Sequence, residues 1–308
     1  MNKTRVFRIH LGPAVLPVAK AGKHNFLNRL TAVLGECGYQ CEYWPNGFAE
    51  RIATGSLPGW SMFEMEPPEG PQSLVFRRAY VAPFWQIDRS DRRWDWDVAG
   101  AHFHITDQQR YKAVEFAAAW RRRLYEWRTG TATQNGSIFV PLQSRLLDKR
   151  SFQSAAPIDM LKALIARYPR RPIHATLHPN VTYPETETTA LADLTARHPA
   201  LTVSRQPAEA LLATCDLVAT QNSAAAFDAL FWRKPVILFA GIDFHHAMAS
   251  VWRDGLEAAF AQLEKGRPDF DGYLWWYLQR QSLNAGREDF RIRSMVRLGN
   301  LGVDLLIE

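Results

Sequence analysis

The sequence is poor in cysteine, with only Cys37, Cys41 and Cys215 among its 308 residues. Three thiols cannot build a disulfide framework, and an odd count fits a reducing compartment. Cys37 and Cys41 are spaced C-x-x-x-C, but no second Cys/His pair follows to complete a zinc site. No run approaches the roughly 18 consecutive apolar residues that a membrane-spanning helix needs. Residues 9–19, behind Lys3, Arg5 and Arg8, come nearest to an export signal, but His10, Pro13 and Pro17 interrupt them. Val6, Phe7 and Ile9 read instead as an opening strand, and the chain is expected in the cytoplasm. G-x-G-x-x-G, H-E-x-x-H and G-x-S-x-G are all missing. Gly22-Lys23 lacks the rest of a phosphate-binding loop, because Pro17 stands where Gly is required and His24 where Ser or Thr is required. Internal repeats and low-complexity tracts are absent as well.

What is present is an ordinary globular composition, 47% hydrophobic and 22% charged, long enough for about two domains. The 37 Lys and Arg exceed the 31 Asp and Glu, for a net charge of +6. The surplus is uneven. Residues 1–135 hold 18 basic and 13 acidic side chains, or +5, and residues 136–308 hold 19 and 18, or +1. A basic front half suits an anionic partner.

The second half alternates strand and helix. Residues 136–143 form an apolar run closing on Pro141-Leu142-Gln143, and Ile158, Leu161, Leu164 and Ile165 follow at helical spacing behind Pro157. Strands are predicted at 172–177, 201–203, 217–220 and 235–239, and helices at 187–197, 208–214 and 224–232. Such βαβα order with short connections means a parallel sheet. Ligands of such sheets bind at the carboxyl ends of the strands, where Gln143, His178, Asn222-Ser223 and Gly241 to Asp243 fall. His178-Pro179 offers an imidazole on a fixed turn. Asn222-Ser223 places an amide and a hydroxyl where a helix begins, so the pair with His178 suggests phosphate binding.

The first half is less regular. A helix over 25–34, a strand over 40–43, a Pro/Gly-rich loop over 55–72 and a helix over 113–125 are expected, with a linker at 130–135. The predicted domains are therefore 1–135 and 136–308, the second ending in a mostly helical, aromatic segment, 246–308, that packs back on the first. Asp95-Trp96-Asp97 matches a short D-x-D metal pattern that is common by chance, and no metal is expected. His102 and His104 would share one face of a strand, and an acceptor-contacting role suits them better than a metal. Arg121, Arg122 and Arg123 form a basic patch with Trp94, Trp96 and Trp120, whose rings suit sugars. No nucleic-acid-binding motif accompanies them, so nucleic acid is not an expected partner.

The ordered set 138–143 (IFVPLQ), Asp148, His178-Pro179, 216–223 (DLVATQNS), Ala229-Leu230 and 234–236 (KPV) resembles the capsule polysaccharide biosynthesis family over about 100 residues. That family includes bacterial Kdo transferases that use CMP-Kdo and have a GT-B architecture of two Rossmann-like domains. The resemblance implies that His178-Pro179 and Asn222-Ser223 hold the CMP phosphate and ribose, and that Asp148 is the catalytic carboxylate; Gln143, Gln221 and Gly241, near the same strand ends, are expected to join the donor site. It implies a nucleotide-sugar donor but no cofactor or metal. The basic first domain, with His102, His104, Arg121 and Arg122, would receive an anionic glycan or glycolipid acceptor, with peripheral contact at the inner face of the cytoplasmic membrane. Thr176 departs from the family, whose members often carry Lys two positions before the His-Pro histidine. The alternatives are a GT-B transferase or epimerase using a UDP-sugar, and a non-catalytic glycan-binding module of an export complex.

Overall fold

A computed structural model describes residues 5–126 and 132–305. In chain order its strands are β1 (Arg5–Leu11), β2 (Tyr39–Pro45), β3 (Trp60–Glu64), β4 (Ser73–Arg78), β5 (Phe84–Asp88), β6 (Ile138–Pro141), β7 (Ile173–Thr176), β8 (Leu201–Ser204), β9 (Leu217–Thr220), β10 (Val236–Leu238), β11 (Ala249–Ser250) and β12 (Leu283–Asn284). They form two six-stranded sheets, each in its own compact unit. One unit comprises residues 1–100 and 277–308, the other 101–276.

The first unit orders its sheet β12-β5-β4-β3-β1-β2. β2, β1, β3 and β4 run parallel, while β5 and β12 add antiparallel at one edge. Its core gathers Phe7, Ile9, Leu27, Leu30, Met62, Leu74 and Phe76, nearly all fully buried. β3 corrects the sequence reading, which took residues 55–72 as loop. Trp60, Ser61, Met62 and Phe63 are buried between β1 and β4. Pro58, Gly59, Pro67 and Pro68 crowd this five-residue strand and hide it.

The second unit orders its sheet β11-β10-β9-β6-β7-β8, all parallel. Buried on both faces, β6, β9 and β10 read as nearly unbroken apolar runs, as central parallel strands do, while β7 and the edge strand β8 carry the less buried His174 and Thr202. Ile138, Phe139 and Val140 have no exposed surface. Helices Pro157–Arg167, Glu185–Arg197 and Ala225–Phe231 connect them, close to the expected spans. Pro157 opens the first of these without needing a hydrogen-bond partner, and Met160, Leu161 and Leu164 enter the core.

The two units divide the chain differently from the predicted cut at 135/136. Helix Asp107–Tyr125 belongs to the second unit, where Arg110 pairs with Asp269 and Arg121 with Asp271. The expected linker is partly outside the described residues (130 and 131), and its remainder is tied down. Thr133 N–H donates to Ala213 O at 2.8 Å, and Lys234 Nζ to Thr133 O at 2.8 Å. The C-terminal segment splits. β12 pairs with β5, and helix Phe290–Asn300 reaches helix Asn25–Glu36 through Arg291 and Glu36 at 2.6 Å. Both belong to the first unit.

Candidate functional site

Strand order defines the site. From β6 the chain steps outward to β7 and β8, then returns to the other side of β6 with β9. The order therefore reverses between β6 and β9, and open parallel sheets bind ligands at such a switch point, beyond the strand carboxyl ends. Register brings those ends level, since Pro141 lies opposite Thr176 and Thr176 opposite Ser204. The Thr220 hydroxyl donates to Pro141 O at 3.1 Å and fixes β9 against β6.

A cavity of about 400 Å³ opens at this edge. Pro141, Leu142, Leu177, Pro207 and Ala225 supply apolar wall, while Thr176, His178, Arg205 and Ser223 supply polar atoms. The His178 loop is held at two points. Tyr183 Oη accepts the His178 N–H at 2.9 Å, and His178 Nδ1 accepts the Asn180 N–H at 3.2 Å. With Nδ1 an acceptor, the neutral ring carries its proton on Nε2. Burial pushes the Tyr183 phenol up, so that hydroxyl stays neutral. Ser223 Oγ accepts the Ala225 N–H at 3.3 Å, leaving its O–H free to donate.

Of the residues expected to bind donor, His178, Pro179 and Ser223 line this cavity. Gln221, Asn222 and Gly241 do not, and they hold the loops instead. Gln221 Nε2 donates to Ala155 O at 3.1 Å, Asn222 Nδ2 to Gly241 O at 3.3 Å, and Gly241 N–H to Phe152 O at 2.9 Å. Gln143 is half-buried, its Oε1 without a hydrogen-bond partner among the described residues. Asp148 lies outside the cavity lining. Its carboxylate is exposed and faces Arg145 Nε at 3.0 Å.

The expected acceptor residues fare differently. His102 and His104 are exposed in an irregular segment, not a strand, with Ile105 turned inward. Arg121 is buried and structural, which corrects the reading of the Arg121 to Arg123 run as one surface patch. Its guanidinium pairs with Asp271 and donates to Phe231 O at 2.8 Å. Arg122 is exposed, and Arg123 lies 4.9 Å over the Trp120 ring. Asp97 of the D-x-D pattern pairs with Arg297, and Trp96 is buried. Sequence reasoning noted Thr176 only as a departure from the family, and it passed over Arg205. Arg205 follows β8 just as His178 follows β7, so the strand-end rule that found His178 could have found it.

Two parallel-rich sheets of this kind are the Rossmann-like pair of a GT-B fold. Among solved structures, the chain is similar to the KpsC β-Kdo 2,7 transferase of Thermosulfurimonas dismutans, with a TM-score of 0.55 and 12% identity over 97% of this chain and 99% of that one. It is also similar to the KpsC β-Kdo 2,4 transferase of the same organism, with a TM-score of 0.50 and 13% identity over 88% and 90%. No protein-family model and no curated protein matches the sequence.

Proposed function

We propose that the chain is a glycosyltransferase of capsule or related surface-polysaccharide synthesis, moving Kdo or a related sugar from a CMP-activated donor to an anionic glycan or glycolipid. It would act at the inner face of the cytoplasmic membrane, without a metal or cofactor. One observation carries this reading, namely the cavity at the β6/β9 switch point, where His178, Arg205 and Ser223 converge on one apolar recess. A nucleoside monophosphate needs that combination. The apolar wall takes the base and ribose, while His178 Nε2–H, the Arg205 guanidinium and the Ser223 hydroxyl take the phosphate. Thr176 brings no charge to the recess, and Arg205 does.

The same donors would stabilise the departing CMP, which gains negative charge as the glycosidic bond breaks. In a retaining course the Asp148 carboxylate attacks the anomeric carbon, and the bonding pair leaves with the CMP phosphate oxygen. The acceptor hydroxyl then displaces the carboxylate, losing its proton to solvent. Asp148 takes this role by its resemblance-derived position, and its exposure leaves it open to a bound sugar. The test is CMP release from CMP-Kdo. Asp148→Asn is expected to lower turnover at least a thousand-fold with CMP affinity intact, and unchanged turnover would remove Asp148 from the chemistry.

A further inference from the structure

Helix Phe290–Asn300 turns Phe290, Ser294 and Leu298 into the core of the first unit. Its other flank carries Ile292 and Val296, one turn apart and 63% and 58% exposed. The helix has three arginines, Arg291, Arg293 and Arg297, and no acidic residue. Arg291 is matched by Glu36, and Arg297 by Asp88 and Asp97. Arg293 forms no ion pair among the described residues, although Asp289, which pairs with Arg287 at 3.5 Å, acts on its charge from the preceding turn. Its guanidinium donates only to carbonyls, those of Gln279 at 2.7 Å, Arg280 at 2.7 Å and Ser282 at 3.1 Å. Beside it lies a groove of about 430 Å³, whose lining includes Arg280, Arg293, the two exposed aliphatics and the paired Asp97 and Arg297.

A half-buried cation that hydrogen-bonds only to carbonyls and forms no ion pair attracts an anion, and exposed aliphatics along the same rim favour an apolar boundary. An anionic bilayer supplies both. We propose that this groove and helix flank dock on an anionic lipid surface, with a headgroup phosphate against Arg280 and Arg293 and with Ile292 and Val296 entering the acyl boundary. This proposal rests on the membrane contact in the function proposed above and is independent of the donor cavity.

The experiment is co-sedimentation of the full chain with phosphatidylcholine vesicles, with and without one third phosphatidylglycerol, alongside CMP titration and thermal unfolding of each variant. Binding to the anionic vesicles alone, weakened by salt, is expected. Val296→Asp should lower partitioning about ten-fold, and Arg293→Gln about five-fold. Because Arg293 also ties three carbonyls, Val296→Asp is the deciding variant, and its thermal midpoint and CMP affinity should match the wild type. Vesicle binding that survives Val296→Asp overturns this surface while leaving the membrane contact standing. No vesicle binding overturns both, whatever CMP does. A dimer in vesicle-free solution that Val296→Asp dissociates assigns the face to a second copy and overturns the proposal.

Discussion

Replacing Arg121 by Met removes one partner of a buried ion pair and keeps most of the side-chain volume. Arg121 and Asp271 are 8% and 12% exposed, and the guanidinium ties helix Asp107–Tyr125 to Phe231 and Asp271 at once. Breaking such a pair costs about 3–5 kcal/mol, because a buried charge loses its compensation. Asp271 retains Arg233 at 2.7 Å, but that arginine is 56% exposed and cannot fill the vacated space, so the lower half of that range is expected. For a unit of this size the loss lowers the melting midpoint by about 6–16 °C. Arg122→Met, one residue along on the exposed side, should cost no more than about 1 kcal/mol, the most an exposed pair is worth. Adding Asp271→Asn to Arg121→Met should recover about 1 kcal/mol, since the buried carboxylate left with only the exposed Arg233 is then gone. Urea unfolding followed by far-ultraviolet circular dichroism measures all three. Equal midpoints for the Arg121 and Arg122 variants would refute the reasoning and return Arg121 to the surface patch.

Burial raises the Asp228 carboxyl from 3.8 to about 6, while Tyr125 Oη donates to it at 3.2 Å. Its folded value lies above the unfolded one, so its contribution to stability is complete below about pH 4 and is lost as pH rises through 6. Asp228→Asn should therefore gain up to about 3 kcal/mol over the wild type at pH 7.5 and little at pH 4, measured by urea midpoints; a difference that does not vary with pH would contradict this. Gly59 has φ of +102°, and a Cβ there would lie 2.6 Å from Val6 O. Gly59→Ala should cost about 2 kcal/mol or more of first-unit stability, read by the same unfolding assay. Thr220→Val leaves Pro141 O without its donor, and a loss of about 1 kcal/mol is expected with somewhat weaker CMP binding, checked by calorimetry.

The second sheet was legible in the sequence because parallel strands covered on both faces leave largely apolar runs, and those of β6, β7, β9 and β10 end at turn-forming or polar residues. His178 and Ser223 were legible for the same reason, each standing just past such a run. Arg205 obeys that rule too, but one arginine among 37 basic side chains reads as solvated surface until β8 places it. Arg121 was misread because its burial depends on Asp271, 150 residues away, which no local pattern reveals. β3 was missed for a local reason, its short apolar core being bracketed by proline and glycine. The division into units escaped the sequence because β12 reaches back across most of the chain to pair with β5, while helix Asp107–Tyr125 pairs forward with Asp271.

On the proposed function, the cavity beyond β6 and β9 holds a cytidine monophosphate. Calorimetric titration of CMP into the wild type and into His178→Ala and Arg205→Gln tests it most directly. Each substitution removes a hydrogen bond to a charged phosphate, worth about 1.5–3 kcal/mol, so affinity should fall about 10- to 150-fold while the thermal midpoint without ligand stays put. CMP that fails to bind, or that binds both variants as tightly as the wild type, would contradict the account.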